Sequence, residues 1–341
     1  MARIDELFNT KELLNYYRVK KQPAMLGDIL FPARKIQDIK FDMITGANGL
    51  PVSASIHAFD TETELASREV LQKGAAELAL IKRKIAIGER DIIAINNPRM
   101  DSEQKALVIG LFKDGDKMVE SVQTRIEAMR MELLSSGKIA INENKVAITL
   151  DYKVPAGNKK SFNWSDASTA KPPEDIKTLA DAVEDASGTK PTRILTSSKV
   201  LNKILACESV KKAIFGVNFD KIATRKDLNS LLESMELPQV AVYNAKYKVQ
   251  NANGKYTTKR YFPENILSMF AENALGETIY GLTAEEIELL GSNKMEEAKM
   301  VGNIFVGVEK EGDPVRRYTK AVATALPTLE NGLELGIGTI S

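Results

Sequence analysis

The chain has 341 residues, of which 43% are hydrophobic and 27% charged, with a formal net charge of +1. That length holds roughly two domains with sizeable cores, and the balance of charge excludes a global bias towards nucleic acid or an anionic membrane. A single cysteine, Cys207, and a single histidine, His57, exclude an internal disulfide and a zinc cage of Cys and His.

The first 28 residues read as an arm. Leu7-Phe8, Leu13-Leu14 and Tyr16-Tyr17 recur at helical spacing among charges before Pro23 and Gly27 interrupt, so the segment needs a surface to cover. No apolar signal core opens the chain and no run of about 18 apolar residues occurs, so a soluble cytoplasmic product is expected. From Phe31 to Ile95, β-like pieces such as Ile36 to Ile44 flank a polar middle with a turn at Gly46-Ala-Asn-Gly49. Asp60 to Glu77 is acidic on balance and partly helical in pattern, through Leu65, Val70 and Leu71, and Lys82-Arg83-Lys84 reverses the sign.

From Asp101 the period becomes helical. Gly115-Asp116 is expected to interrupt before a second, longer helix, whose stripe is Val119, Val122, Ile126, Met129 and Leu133 and whose polar face carries Glu120, Gln123, Glu127 and Arg130. Gly137 is the expected stop, and Ile139 to Val154 reads as a hairpin turning at Asn142 to Lys145. A polar connector, Pro155 to Pro173, holds the single Trp164. Short amphipathic helices follow around Ile176 to Val183, Ser198 to Ala206 and Arg225 to Met235, with a strand at Thr192 to Leu195. Val240 to Tyr261 reads as a hairpin, because Asn253-Gly254 permits positive φ at both central residues of a tight turn. Ile266 to Phe270, Ile279 to Leu282, Gly302 to Val308, Tyr318 to Leu326 and Leu333 to Ile337 supply further apolar segments or strands. Such mixing predicts an α+β fold.

Reactive chemistry finds little support. His57 lies in Ile56-His-Ala-Phe59 with no nucleophile elbow to serve, and reads as a structural or surface histidine; Cys207 follows an apolar helix as a small buried thiol would. Glu285-Glu286 and Glu296-Glu297 read as solvated helix faces rather than acid–base dyads, and no phosphate-binding Gly-x-x-x-x-Gly-Lys motif occurs. No catalytic, cofactor or metal residue is therefore assigned.

Three separated stretches resemble the major capsid proteins of lambda-type tailed phages. They are Trp164-Ser165 with Pro173-Glu-Asp175-Ile176; the hairpin with its sequel Phe262-Pro263 and Tyr280-Gly281; and Gly312-Asp-Pro314, Arg316, Tyr318-Thr319 with Leu326-Pro327. The resemblance implies the Hong-Kong-97-type capsid fold. Its parts would be an arm (1–28), an extended loop with flanking strands (29–100, the loop itself roughly 40–90), a peripheral domain (101–173 and 306–341) with a spine helix at 116–137, and an axial domain (174–305). It further implies self-assembly into hexamers and pentamers of an icosahedral procapsid enclosing double-stranded DNA. The partners implied are a separate scaffolding protein, since the chain starts too close to its arm for a fused one, a portal protein, a decoration protein, and DNA touched only non-specifically. No membrane is involved. Leu13, Leu14, Tyr16 and Tyr17 would bury against a neighbouring subunit, so removal of residues 1–20 should stop assembly without unfolding the subunit. Asp60, Glu62 and Glu64 would meet Lys82, Arg83 and Lys84 across subunits, against the alternatives of DNA contact or a solvated face. An encapsulin-like compartment and an α+β enzyme of unknown activity are the rival readings.

Overall fold

Arg316–Pro327 is the longest strand among the described residues, and its second half is buried at every position. A strand covered on both faces reads as a continuous apolar run, which Ala321-Val-Ala-Thr-Ala-Leu326 supplies. The computed structural model describes residues 4–20, 23–45, 72–98, 100–144, 146–216, 220–251, 253–272, 274–292 and 294–341. They fall into two compact units, one formed by 1–41, 76–127 and 277–328, the other by 42–75, 128–276 and 329–341.

In the first unit Arg316–Pro327 is the central strand of a five-stranded sheet. Ala79–Ile87 runs antiparallel along one edge, from Arg317 opposite Ile87 to Ala325 opposite Ala79. Along the other edge Phe305–Glu311 pairs with residues 316–322 and Thr278–Gly281 with residues 324–327, both antiparallel. Ala33–Lys35 then adds in parallel to Thr278–Gly281. The helices Ile4–Leu7, Thr10–Val19 and Leu26–Leu30 belong to this unit. Thr10–Val19 starts at Asn9, whose side chain accepts the Glu12 N–H at 3.0 Å. Its Leu14 enters a core with Leu289, Ala298, Phe305 and Val322.

The second unit has its own five-stranded sheet, ordered Lys159–Phe162, Gly336–Ile340, Ile266–Phe270, Arg193–Thr196, Gln239–Val242. Its outer pairings are parallel and its two inner ones antiparallel. The core joins Ile194, Val240, Leu267, Met269 and Ile340 of the strands to helix residues including Ile176, Leu179, Ile204, Leu228 and Leu232. Ser268, between Leu267 and Met269, points to the opposite face, where its hydroxyl donates to the Leu134 carbonyl at 2.7 Å.

Several expectations change. Asp101–Ser136 is one helix of 36 residues, with no break at Gly115. A Cβ at Gly115 would lie 2.7 Å from the Tyr17 hydroxyl oxygen, so the glycine makes room for a side chain rather than ending a helix. Glu127 and Arg130, expected on a polar face, are buried; Glu127 accepts the Gly27 N–H at 3.0 Å in the first turn of Leu26–Leu30. The hairpin begins at Lys246 rather than Val240, because Gln239–Val242 pairs in parallel with Arg193–Thr196. Its turn is longer than two residues: the Asn251 N–H donates to the Lys255 carbonyl, and Gly254, not Asn253, has positive φ (+79°). Gln72–Glu77 is a strand, so the helical reading of 60–77 fails at its end; the rest of that segment, His57 and the turn at 46–49 lie outside the described residues. Glu89–Asn96 and Glu208–Phe215 are helices the periodicity did not reveal, and Lys159–Phe162 is a strand inside the polar connector. The units also divide elsewhere than 174–305 and 306–341: Thr278–Gly281 joins the first sheet and Gly336–Ile340 the second. Among the described residues no helix is long and apolar enough to cross a membrane.

Candidate functional site

Among the described residues no group of three or more His, Cys, Asp or Glu side chains is placed to hold a metal ion. Cys207 is buried, its thiol donates to the Lys203 carbonyl at 3.2 Å, and burial pushes its pKa up, away from the thiolate that nucleophilic attack requires. The expected solvated faces also differ. Glu286 is buried and meets the Lys35 ammonium at 2.6 Å, while Glu285 meets Lys320 at 3.2 Å. Both carboxylates hold the first unit together.

The residues assigned to subunit contacts separate into three groups. Leu13 and Leu14 are 0% and 2% exposed. Tyr16 packs edge-on to Phe112 at 5.0 Å, and Tyr17 donates its hydroxyl to Asp116 at 3.0 Å. Burial and the adjacent Asp116 carboxylate hold the Tyr17 phenol well above its ordinary pKa. Lys20 reaches the other Asp116 oxygen at 2.6 Å. The apolar side of this helix is therefore already occupied within its own unit, because Thr10–Val19 lies against Phe305–Glu311 and the Thr10 hydroxyl accepts the Val308 N–H at 3.1 Å. Ahead of it, the Asp5 carboxylate sits between Arg317 and Lys310. Those two cations, Arg317 first, hold its carboxyl well below the usual range.

Lys82, Arg83 and Lys84 lie on the strand Ala79–Ile87, where alternation divides them. Lys82 and Lys84 share the exposed face with Leu80, and Arg83 points to the other, half-buried side. The Lys84 ammonium stands 4.1 Å over the Tyr318 ring and 3.7 Å from Glu309. The expected triplet is thus a pair plus one. Among the described residues this strand is paired along one edge only. Asp60, Glu62 and Glu64 lie outside the described residues.

One charged feature was missed. Between Glu236 and Glu264 the chain has no carboxylate but has Lys246, Lys248, Lys255, Lys259 and Arg260, all on the ribbon Lys246–Gln250 and Tyr256–Arg260 or its turn. The overall charge of +1 concealed it; a count within that window would have shown it.

The chain builds two units, each centred on a five-stranded sheet. Solved structures agree on the fold. A crystal structure described as the capsid protein of a prophage of E. coli CFT073 superposes with a TM-score of 0.62 at 16% identity, covering 98% of this chain and 99% of that one. A phage-related protein from Bordetella bronchiseptica RB50 gives 0.57 at 13% identity, covering 99% and 98%. No curated protein matches the chain by sequence. The fold is thus that of phage capsid proteins. The profile of the family described as phage major capsid protein E matches residues 9–332, and the chain belongs to that family.

Proposed function

We propose that this capsid shell protein assembles as hexamers and pentamers into an icosahedral procapsid that encloses double-stranded DNA. The match to the capsid family over residues 9–332 carries the reading. In this assignment residues 1–28 are the arm, roughly 40–90 the extended loop, and Asp101–Ser136 the spine helix, longer than the expected 116–137. The axial domain is the sheet unit of residues 159–270 and 336–340, in place of the expected 174–305. The protein acts without catalysis, in the virion, after assembly in the host cytoplasm. Its partners are a separate scaffolding protein, a portal protein and a decoration protein.

The contact proposed between subunits joins Lys82 and Lys84, with Arg83 beside them, to Asp60, Glu62 and Glu64 of a neighbour. What supports it is the exposed face of an edge strand carrying unlike charge to that acidic run. Exposed pairs contribute only about 0.2–1 kcal/mol each, so such contacts stay reversible and misplaced subunits can leave.

Negative-stain electron microscopy of the protein expressed alone, and with the candidate scaffold gene, tests the assembly. Closed shells or hexameric capsomers are expected; a small monodisperse particle under both conditions would overturn it.

A further inference from the structure

We propose that the ribbon Lys246–Gln250 and Tyr256–Arg260 is the shell subunit's contact for the phosphate backbone of duplex DNA. The inference rests on the reading that the shell encloses DNA, and it places at one site a contact that the overall charge of +1 leaves undefined.

The pairing register sets the chemistry of each face. Lys246 stands directly opposite Arg260, and Lys248 opposite Thr258, so Lys246, Lys248 and Arg260 lie on one face together with Tyr256. Lys259 stands opposite Tyr247 on the other face, and Lys255 lies in the turn. Like charges directly across an antiparallel pair are unfavourable, and a ribbon of two strands has little stability to set against them. Local neutralisation is scarce. Arg260 pairs with Glu264, but among the described residues no carboxylate lies within ion-pair distance of Lys246, Lys248, Lys255 or Lys259. A ribbon that keeps such a charge on the outside is suited to an anionic partner.

The neighbouring groups favour phosphate over a carboxylate-bearing peptide. Thr257, Thr258 and Asn251 are exposed and Tyr256 is 60% exposed, so hydroxyl and amide donors flank the ammonium groups. These are the side chains that accompany Lys in phosphate contacts, and lysine's compact charge tracks a backbone without reading bases. A two-stranded ribbon is also an element that the major groove admits. The base of the ribbon is fixed, since Tyr247 packs on Tyr261 at 4.7 Å and Tyr261 on Tyr243 at 6.0 Å.

The test is fluorescence anisotropy of a labelled random-sequence duplex of about 30 base pairs, titrated with the full chain across a salt series. Electron microscopy of the same preparations accompanies it. Replacing Lys246→Gln, Lys248→Gln and Lys259→Gln together is expected to weaken binding on the order of a hundredfold at about 0.1 M salt, and to reduce the salt slope by roughly 2.7, at about 0.9 per phosphate contact. The pair Lys177→Gln and Lys226→Gln, at exposed lysines away from the ribbon, should leave both unchanged. An unaltered slope in the triple variant, or a loss shared equally by the control pair, would overturn the site. Tighter binding to polyglutamate of similar length than to the duplex would overturn the choice of DNA in favour of an acidic polypeptide. Shells that form normally while the wild-type chain ignores DNA would remove this inference and leave the capsid role standing; absence of shells would count against the assembly reading and not against the ribbon.

Discussion

Gly281 shows how little freedom single positions retain. Its strand lies so close to the loop before Lys40 that an added Cβ would stand 2.7 Å from the Asp38 backbone oxygen and 2.7 Å from the Leu78 Cδ1. Backbone cannot step aside as a side-chain tip can, so Gly281→Ala should destabilise the first unit by about 1–3 kcal/mol, read from the urea midpoint of the unassembled subunit. Asp5 makes a prediction in pH. Its pKa is depressed in the folded chain by Arg317 and Lys310. Its contribution is therefore complete above the unfolded value, about 3.9, and is lost as pH falls below that. The thermal midpoint of the wild type should exceed that of Asp5→Asn near neutral pH, and the difference should begin to narrow only near about pH 4 and shrink progressively as the pH falls further towards the depressed folded value. A constant difference would show that Asp5 acts by something other than charge.

At the scale of elements, the helix Thr10–Val19 is the main revision to the expected arm. An amphipathic segment with Leu13, Leu14, Tyr16 and Tyr17 on one side must cover something, and the sequence does not say whether the surface is its own or a neighbour's. The fold supplies it internally, through Phe305, Val322, Phe112 and Asp116. Leu14→Ala should therefore cost about 2–5 kcal/mol in the isolated subunit. Removal of residues 1–20 should lower subunit stability as well as assembly, where only assembly had been expected to suffer. An unfolding midpoint unchanged by either alteration would return this helix to the role of a free arm. The long helix shows the converse case. Gly115 reads as a breaker because glycine costs about 1 kcal/mol relative to alanine in a helix, yet the helix runs through it, and the missing side chain leaves room for the Tyr17 hydroxyl. Helix 101–136 closes as the sequence suggests, with Gly137 at φ +71°.

For the whole molecule, assembly is the property to be measured. With edge-strand cations offering about 0.2–1 kcal/mol each, Lys82→Glu with Lys84→Glu should raise the concentration needed for shell formation and change its dependence on salt. Shells forming identically in both respects would remove that contact from the lattice. The α+β class and the capsid family were legible because they depend on element order and on short local signals, such as the Trp164 entry and the Tyr280-Gly281 strand, which survive in one dimension. Trp164 is held where it stands by its indole N–H donating to Asp175 at 2.7 Å, which explains the spacing of that pair.

The sequence by itself determined the class of fold, the positions of most helices and strands, the lack of any motif for catalysis, and the family. Periodicity and turn chemistry are local, and each needs only neighbours in the chain to be read. Only the tertiary structure decided which charges are buried, which strands pair, and what the first helices cover. Glu127 lies under the helix at Gly27, a hundred residues away in sequence; Gly336–Ile340 adds to Lys159–Phe162; Lys246 faces Arg260. These contacts join segments distant along the chain, and their energies depend on burial and register, which no window of sequence contains.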